Sequence, residues 1–538
     1  MILSLTFYGR KYIIFCVVLG DKMNKKIFTI IYVFIFILLS ILIVGSFFIR
    51  NQFPSVSFDE LYFYLTNGVT NSDGNVFIDA IKSCLPFFIV LMIVFYTLFF
   101  DISFGHFKLN YSIYKRNKKF KKTIQIYPVK IIQEHRFMTV IILIILTFLI
   151  SANNIHCINF IKDSSSKSKF IEINYVNPKD AKITFDKKKN LILIFIESLE
   201  TSFFTKKQGG SWNYEVTPEL YKLLNDDDSV VFYDSNLAEE MKMVNGASWT
   251  TASLVANTTG LPFKIPVSAN SYYSLHFLNG AYGLGDVLAK QGYHNEVISS
   301  AKTNFGGVSD YFNNHGNFDI IDINSLNKYN LSITKKDLNY WGFSDRYLFE
   351  TAKKRLKKIS KEDKPFNLNL ISIDTHFTDG CVYDFSTSEY DTQYENAYAT
   401  TSNLIYDFVS WIKKQNFYED TTIVIMGDHL SMQTNYFADR GVTDRYVYCC
   451  FINSYSKPKK QKNRIYTALD TYPSVISAIG GKSEDDRLGL GVNLFSSKKT
   501  LAERYGFEKL NKEVIKKSEF YNKEILGKDY KMMIDNKE

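Results

Sequence analysis

Cysteine is scarce in this sequence of 538 residues, and the few cysteines present are poorly placed for disulfide bonding. Two of the six lie in or near long apolar segments, and the other four lack the spacing of paired disulfides. Adjacent cysteines such as Cys449 and Cys450 rarely bond each other. The sequence therefore argues against a fold that depends on disulfides. The six are Cys16, Cys84, Cys157, Cys381, Cys449 and Cys450.

Glycine-rich phosphate loops are also absent, as are internal repeats and collagen-like or coiled-coil periods. These absences argue against a P-loop nucleotide-binding protein, a solenoid or a fibrous protein. We expect neither a nucleotide nor a nucleic acid as a partner. The length of the chain predicts two or three domains.

Long apolar segments fill the first 155 residues, which we interpret as a membrane anchor with three helices at about 27–49, 83–100 and 137–152. The first segment carries no charge, and at about 1.5 Å per residue it reaches roughly 34 Å, enough for a ~30 Å hydrocarbon core. No small-residue cleavage site follows it, so a removed signal peptide fits poorly. Met23 is a more natural start than Met1, which leaves the true start open.

The loops between these segments differ in charge. The loop between the second and third segments is strongly basic, whereas the loop between the first and second carries mainly acidic residues. The positive-inside rule puts the basic loop in the cytoplasm and everything after residue 155 outside it. The net charge of +9 lies largely in this loop, so it indicates little about partners. We predict a multi-pass protein of the bacterial cytoplasmic membrane, with an extracytoplasmic (periplasmic) main domain.

The rest of the chain alternates apolar strands with helical stretches. We expect a polar tether at 156–188, a globular domain at 189–497 and a charged, peripheral tail at 498–538. Alternation of this kind predicts an α/β fold with a mostly parallel sheet between helices. The predicted strands are Leu191–Ile196, Ser229–Tyr233, Asn295–Ser299, Phe366–Ile373, Thr421–Met426 and Tyr446–Ile452, and the clearest helices are Tyr347–Lys358 and Gln393–Gln415.

Residues that can bind a metal follow two of these strands directly. Glu197 ends the first strand, and Asp428 and His429 follow Gly427 at the end of another. Ligands in an open α/β sheet lie at the carboxyl ends of its strands, so the three side chains can meet there. Two carboxylates and an imidazole suit a divalent metal. Taken singly, each residue could instead be a helix cap or a surface group.

A hydroxyl nucleophile is available between these two strands. Thr250 stands in a stretch of small residues before a predicted helix, and a bound metal would lower the pKa of its hydroxyl. Ser248 or Thr250 could also be only an N-cap, but a helix N-terminus suits a phosphate group. Asp374 and His376 end a third strand, and we expect them near the substrate at the same edge of the sheet.

Together these motifs resemble the membrane-anchored phosphoglycerol transferases of the alkaline phosphatase/sulfatase superfamily. The similarity is strongest to the type that decorates periplasmic glucans, and lipoteichoic acid synthases are more distant relatives. It covers roughly residues 188–497 and the anchor. The motifs are Asn190–Glu200, Trp249–Ser253, Leu261-Pro262, Asp374-Thr-His376, Gly427–Leu430 and Arg487–Phe495.

The resemblance implies a divalent ion, Mn²⁺ or Mg²⁺ with Zn²⁺ as an alternative, bound by Glu197, Thr250, Asp428 and His429. It implies Thr250 as the nucleophile and His376 on the substrate side. Lipoteichoic acid synthases hold glycerophosphate with a Trp-x-Arg pair, but the corresponding stretch here has no arginine, so Lys302 is the candidate substitute. No Cys/Ser-x-Pro-x-Arg motif is present, which argues against sulfate-ester hydrolysis.

The resemblance implies transfer of phosphoglycerol from phosphatidylglycerol to an envelope glycan through a phospho-threonine intermediate. A phosphoethanolamine transferase or an extracytoplasmic phosphodiesterase would use the same metal and threonine chemistry, and both alternatives stay open here. A non-enzymatic membrane sensor would be expected to lack one of the metal residues, and all four are present. The acceptor glycan, the metal and the oligomeric state are not determined by the sequence.

Overall fold

The computed structural model describes residues 4–7, 10–13, 25–53, 56, 58, 61, 74–100, 106–114, 120–264 and 277–527. Both possible starts, Met1 and Met23, lie outside the described residues, as do most of the acidic loop, part of the basic loop and the last eleven residues of the tail. Contacts divide the chain into two compact units, one of 1–51 with 74–155 and one of 52–73 with 156–538.

Three long apolar helices dominate the first unit: α1 (Lys25–Gln52), α2 (Gly74–Phe99) and, after the short α3 (Pro128–Glu134), α4 (Arg136–Asn154). Each is long and apolar enough to cross a membrane. Large apolar side chains such as Phe87 and Phe137 are about two-thirds exposed, at 67% and 68%. Lipid tails would cover such side chains without cost. The three helices overlap the three segments predicted to cross a membrane.

Polar contacts join the helices inside this unit. The Asn154 side chain donates to the Ser46 hydroxyl at 3.1 Å and accepts from Arg50 at the same distance. Such hydrogen bonds help apolar helices to associate where water is absent. The described parts of the basic loop form a hairpin of β3 (Leu109–Tyr114) and β4 (Phe120–Ile126), after a hairpin of β1 (Ser4–Phe7) and β2 (Arg10–Ile13) near the start.

The second unit contains a seven-stranded sheet, mainly parallel, with helices on its faces. The strands of this unit are β5 (Ile183–Phe185), β6 (Asn190–Ile196), β7 (Ser229–Val230), β8 (Met241–Lys242), β9 (His294–Ser299), β10 (Asp319–Ile321), β11 (Phe366–Ile371), β12 (Thr421–Gly427), β13 (Cys449–Ile452), β14 (Tyr466–Thr467), β15 (Gly481–Ser483), β16 (Arg487–Leu488) and β17 (Gly491–Val492). The sheet order is β10-β9-β11-β6-β12-β13-β7, and β13 runs antiparallel to both of its neighbours, β12 and β7. The predicted α/β fold with a mostly parallel sheet is therefore confirmed.

Helices of this unit connect the strands and cover both faces of the sheet. They are α5 (Cys157–Ser165), α6 (Phe170–Asn174), α7 (Pro218–Leu224), α8 (Thr250–Thr259), α9 (Leu284–Lys290), α10 (Val308–Asn314), α11 (Asp345–Ile359), α12 (Gln393–Ile412), α13 (Thr434–Ala438), α14 (Thr471–Ala478), α15 (Leu501–Tyr505) and α16 (Phe507–Ile515). Short 3-10 turns cover Thr201–Phe203, Lys206–Gln208, Phe305–Gly307, Leu326–Tyr329, Lys335–Asp337 and Ala468–Asp470, and a π turn covers Tyr521–Ile525.

The central strands explain why the core has two halves. Side chains alternate along a strand, so Leu191, Leu193 and Phe195 of β6 enter one apolar cluster while Ile192 and Ile194 enter the other. A strand that is buried on both faces reads as one continuous apolar run. The register also pairs Ile196 of β6 with Gly427 of β12. The residues that follow these two strands therefore leave the sheet side by side.

The segment expected as a tether and the tail expected to be peripheral both contribute to this core. Phe170 and Ile171 are buried in the same cluster as Leu510 and Val514. Residues 167–168 pair with the backbone of Lys517, and β5 pairs with β15. The sequence interpretation missed this packing because both segments carry many charges. A few apolar side chains at helical spacing are enough to anchor a short helix.

Candidate functional site

Glu197 is held rigidly where β6 ends. Its side chain is 1% exposed, and its Oε1 accepts a hydrogen bond from the Ser198 hydroxyl at 2.6 Å. Its backbone N–H donates to the Ser372 hydroxyl at 2.9 Å, and its carbonyl accepts from the Thr375 hydroxyl. The backbone is thus fixed from the neighbouring strand β11, which leaves the carboxylate little freedom to turn.

Asp428 and His429 are fixed at the end of β12 in a similar way. Asp428 Oδ1 accepts from the backbone N–H groups of Ser198 and His429, each at 2.7 Å. The Asp428 backbone N–H donates to the Ile196 carbonyl at 3.0 Å, and its carbonyl accepts from the Ser253 hydroxyl. The His429 Nδ1 lies 2.9 Å from the Leu430 carbonyl, which orients the ring. A neutral His429 would donate from Nδ1 and keep a lone pair on Nε2.

The three side chains meet as one group, which we call the C-edge group: Glu197, Asp428 and His429. His429 Nε2 lies 3.6 Å from Glu197 Oε1 and 3.4 Å from Asp428 Oδ2, and one ligand atom from each lies within 4.8 Å of the other two. Burial, together with the charge of Glu197, raises the pKa of Asp428 to about 7. Burial also raises the pKa of Glu197, against the opposing effect of His429.

Two buried carboxylates so close together repel each other unless a cation lies between them. A divalent ion with oxygen and nitrogen ligands fits this donor set. A carboxylate–imidazole arrangement in which a backbone carbonyl holds the other ring nitrogen is also typical of metal-bound histidine. The residues present therefore fit the metal that the sequence motifs imply.

Thr250 is the first residue of α8, and its hydroxyl lies 3.5 Å from Glu197 Oε2. Trp249 is the N-cap residue, and no side chain caps the helix. The neighbouring Thr251 hydroxyl donates to the Gly306 carbonyl at 2.8 Å, so its position is fixed by the pocket wall. The positive end of the helix dipole therefore faces the region beside the C-edge group.

A pocket opens beside Glu197 and Thr250. Its walls include Trp249, Lys302, Phe305, Trp341, Ser372 and His376. The Trp341 ring packs on the His376 ring, with centroids 4.6 Å apart, and it also contacts Phe305 at 5.7 Å. The pocket thus combines aromatic walls with one lysine and one histidine, a composition that suits a small anionic group with an apolar or polyol part.

Of the residues predicted to face the substrate, His376 and Lys302 line this pocket, but Asp374 lies apart from it. The Asp374 carboxylate is buried and accepts from the Tyr383 hydroxyl at 2.7 Å and from the Asp345 backbone N–H at 2.8 Å. Burial and the nearby charge of Asp345 raise its pKa well above the ordinary value. Its geometry is that of a residue that fixes the loop before His376.

Several residues at the site were missed by the sequence interpretation. Ser372 and Thr375 fix Glu197, and the Tyr398 hydroxyl donates to the Ser198 carbonyl at 2.5 Å. Trp341 lines the pocket from a turn far from any strand of the predicted set. Ser372 and Thr375 flank a strand end and could have been found by that signal. Trp341 and Tyr398 carry no such signal in the sequence.

A second group of the same residue types lies at the opposite ends of the strands. This N-edge group consists of His294, Glu296 and Asp319, with ligand atoms within 4.8 Å of one another. His294 begins β9 and Asp319 begins β10. In this group Glu296 is already bound by Arg355, whose Nε donates to Oε1 at 2.9 Å and to Oε2 at 3.1 Å.

Comparison with known proteins places these motifs in context. The family model described as Sulfatase matches residues 189–481. Phosphoglycerol transferase I of Escherichia coli (strain SMS-3-5 / SECEC) is 28% identical over 319 residues, which are 57% of this chain and 39% of that protein. This chain thus spans well under half of the length of the curated relatives it matches.

Two solved structures that align with this chain are membrane-lipid-related transferases or synthases by their names. The lipoteichoic acid synthase LtaP from Listeria monocytogenes aligns with a TM-score of 0.43 and 18% identity, over 59% of this chain and 79% of that one. The integral membrane protein lipooligosaccharide phosphoethanolamine transferase A from Neisseria meningitidis aligns with a TM-score of 0.46 and 13% identity, over 89% of each chain.

Proposed function

This chain belongs to the sulfatase family, and from that premise we propose that it is a membrane-anchored, metal-dependent phosphotransferase. In its finer form the proposal is that the protein moves a phosphoglycerol group from phosphatidylglycerol to a glycan of the cell envelope. The similarity to phosphoglycerol transferase I supports the transferred group. Three apolar helices long enough to cross a membrane support a location beside the lipid donor.

The observation that carries the proposal is the position of Thr250. Its hydroxyl lies 3.5 Å from Glu197, at the first residue of a helix and beside a buried group of two carboxylates and an imidazole. A hydroxyl at this position would face a phosphoryl group bound at the helix N-terminus. Glu197, Asp428 and His429, with Thr250, would hold the metal. When bound, a divalent cation would lower the pKa of a hydroxyl and neutralise negative charge on a phosphoryl oxygen.

The reaction would have two displacements at phosphorus. In the first, Thr250 Oγ1 forms a bond to phosphorus, its proton is lost, and the bond from phosphorus to the diacylglycerol oxygen breaks. That oxygen takes up a proton, and diacylglycerol leaves. In the second, a glycan hydroxyl loses its proton and bonds to phosphorus, the bond to Thr250 breaks, and the Thr250 hydroxyl is restored. No nucleotide is needed at any step.

The pocket would hold the headgroup. Lys302 supplies a positive charge where no arginine is available, and Trp341 and Phe305 supply flat walls against the glycerol carbons. The His376 Nδ1 lies 2.6 Å from the Phe377 carbonyl, and the Trp341 ring packs on the His376 ring. These contacts fix the imidazole, so its Nε2 is the atom that would exchange a proton with the leaving or entering oxygen.

Headgroup labelling tests the proposal. Proteoliposomes that hold the full chain would be given phosphatidylglycerol and phosphatidylethanolamine, each carrying a different label in its headgroup, with and without a glycan acceptor. We expect label from phosphatidylglycerol in the glycan, and without acceptor a glycerophosphate mass on the peptide that contains Trp249 and Thr250. Label transferred from phosphatidylethanolamine alone would favour a phosphoethanolamine transferase. Free glycerophosphate in the presence of acceptor would favour a phosphodiesterase.

The position of the adduct separates Thr250 from its neighbour. Fragmentation of the trapped peptide should place the added mass on Thr250, because the Thr251 hydroxyl is bound to the Gly306 carbonyl. An adduct on Thr251 would refute the choice of nucleophile.

The location of the main domain can be tested with a reporter fused after residue 500. We expect the reporter to be active only outside the cytoplasm, and activity only inside would contradict the proposed topology.

A further inference from the structure

Exposed apolar side chains lie on and next to the turn that carries the pocket residue Trp341. Leu338 is 42% exposed, Tyr340 47% and Val382 41%, and they are among the few large apolar side chains of the second unit that are this exposed. We call these three residues the pocket lip. Exposed apolar residues that cluster beside a binding site commonly mark a surface that contacts something else.

A tight turn holds the lip against the pocket. The turn runs from Asn339 to Gly342: the Gly342 N–H donates to the Asn339 side-chain oxygen at 2.8 Å, and the flanking residues Leu338 and Phe343 form an antiparallel bridge. Within the turn, Trp341 lines the pocket, while Tyr340 is exposed and its ring contacts the Trp341 ring at 5.5 Å. Two adjacent aromatic residues thus face the pocket and the solvent respectively.

Hydrogen bonds of Asn339 anchor the turn to the segment that follows β11. The Asn339 amide donates to the Tyr383 hydroxyl at 2.9 Å and, more weakly, to buried Asp374 at 3.4 Å. Tyr383 follows Val382 in the chain, so the same hydrogen bonds bring Val382 to the turn. An exposed aromatic residue that is held in place loses little conformational entropy when it binds a partner.

Charge near the lip suits a negatively charged surface. Lys335 and Lys336 precede the lip and are exposed. Lys336 is paired with Asp384 at 3.2 Å, and Arg346 is paired with Asp337. Lys335 forms no ion pair with another residue that the structure describes, so its charge is available to a partner. Tyrosine beside lysine and an aliphatic side chain is the composition found where proteins meet the lipid headgroup region.

We propose that the pocket lip inserts into the surface of an anionic phospholipid bilayer and guides the lipid donor into the pocket. This inference rests on the proposed function, which requires the headgroup of a membrane lipid to reach Thr250. The acyl chains would stay beside Leu338, Tyr340 and Val382, and the headgroup would pass Trp341 to the C-edge group. A lysine near an anionic bilayer adds electrostatic attraction.

A bilayer donor and a water-soluble donor distinguish a defect in membrane docking from a defect in the chemical step. Proteoliposomes of the full chain in phosphatidylcholine would be given either bilayer phosphatidylglycerol or a short-chain, water-soluble phosphatidylglycerol. The Leu338→Ser/Tyr340→Ser variant should lose about tenfold in turnover of the bilayer donor and keep turnover of the soluble donor within about twofold. Equal losses on both donors, or no loss on either, would overturn the inference.

Tyr455 offers a matched control. It is 41% exposed and lies near Lys187 and Lys482, at the end of the sheet opposite the pocket. Tyr455→Ser should leave turnover of both donors unchanged. A loss on the bilayer donor equal to that of the lip variant would contradict a specific role for the lip.

Photocrosslinking gives a readout that does not depend on turnover. Benzoylphenylalanine in place of Tyr340 should crosslink to labelled phosphatidylglycerol on illumination, at several times the yield of the same residue in place of Tyr455. Equal yields at the two positions would overturn the inference. If crosslinking succeeds but the wild-type protein releases diacylglycerol from neither donor, the lip binds lipid and the proposed function is wrong.

Discussion

The two ends of the central sheet carry similar side chains in different electrostatic settings. The C-edge group has Glu197, Asp428 and His429, and the N-edge group has His294, Glu296 and Asp319. Glu296 is as deeply buried as Glu197, but Arg355 binds its carboxylate directly, and the side chains of the pair are 0% and 8% exposed. At the C-edge no arginine or lysine forms an ion pair with Glu197 or Asp428 among the described residues.

The pKa values record this difference. Burial alone would raise the pKa of Glu296, but the contact with His294 at 3.6 Å and the hydrogen bonds from Arg355 outweigh it, and the pKa lies below the ordinary value. Burial raises the pKa of Glu197, and burial with the charge of Glu197 raises that of Asp428 to about 7. The N-edge group is neutralised by Arg355, whereas the C-edge group has no such ion pair among the described residues. This difference supports the proposal that a metal ion binds at the C-edge and not at the N-edge.

Activity should show the largest contrast between the two ends. Asp428→Asn should lower turnover by about a thousandfold or more, because it removes one ligand and charge from the group beside the nucleophile. The matched change Asp319→Asn at the N-edge should leave turnover within about twofold. Product release from labelled phosphatidylglycerol measures both. Comparable losses in the two variants would mean that the N-edge group also takes part in the reaction.

Thr250→Ala should be as inactive as Asp428→Asn, and Thr250→Ser should keep part of the activity because the hydroxyl survives.

Glu197→Ala and His429→Ala should each abolish turnover without unfolding the domain, and their effects should not add. Turnover by the double variant at the wild-type rate would show that the site is assigned wrongly.

The free energy of unfolding should depend more on the N-edge group than on the C-edge group. Glu296→Ala would leave Arg355 buried without its partner and should lower the free energy of unfolding by about 3–5 kcal/mol. Glu197→Gln in chelator should cost much less, because it removes a carboxylate whose ionised form burial already disfavours. Denaturant titration in detergent micelles compares the two. A greater loss for Glu197→Gln would imply that an unseen positive charge lies at the C-edge.

Added metal should stabilise the folded protein through the C-edge group and not through the N-edge group. At a concentration one hundred times Kd, Mn²⁺ or Mg²⁺ should raise the free energy of unfolding by about 2.7 kcal/mol. The shift should persist in Asp319→Asn and disappear in Asp428→Asn, as measured by thermal unfolding over a metal titration. Persistence of the whole shift in Asp428→Asn would place the metal elsewhere.

The smallest effect concerns the charge of His294. The nearby carboxylates of Glu296 and Glu362 raise its pKa, against the opposing effects of burial and Lys364. His294 Nε2 lies 3.6 Å from both Glu296 and Asp319. A raised folded-state pKa gives stability that is complete below the unfolded pKa of 6.5 and is lost as pH rises through the folded value. His294→Gln should therefore destabilise the protein by up to about 1 kcal/mol at pH 6 and less at pH 9. A larger loss at pH 9 would contradict this assignment.

The continuous apolar runs and their polar ends made much of this domain predictable. β6, β11 and β12 stand where the sequence predicts strands, and the resemblance to the sulfatase family is confirmed. The strand β10 (Asp319–Ile321) was not predicted, because three residues carry too little periodicity. The packed segments around Phe170 and Val514 were obscured by charge. The roles of Glu197, Thr250, Asp428, His429, His376, Lys302 and Asp374 stay predictions.

The sequence by itself determined which strands are buried on both faces and which polar residues follow them, since both are local properties of the chain. Only the tertiary structure decided what those polar residues face. The register of β6 and β12 puts Glu197 beside Asp428, while the packing of α11 puts Arg355 against Glu296. It also buried Asp374 against Tyr383 and Asp345 and put Trp341 in the pocket wall. The physical reason is that electrostatic environment depends on neighbours that are distant in sequence, and those neighbours are chosen by packing.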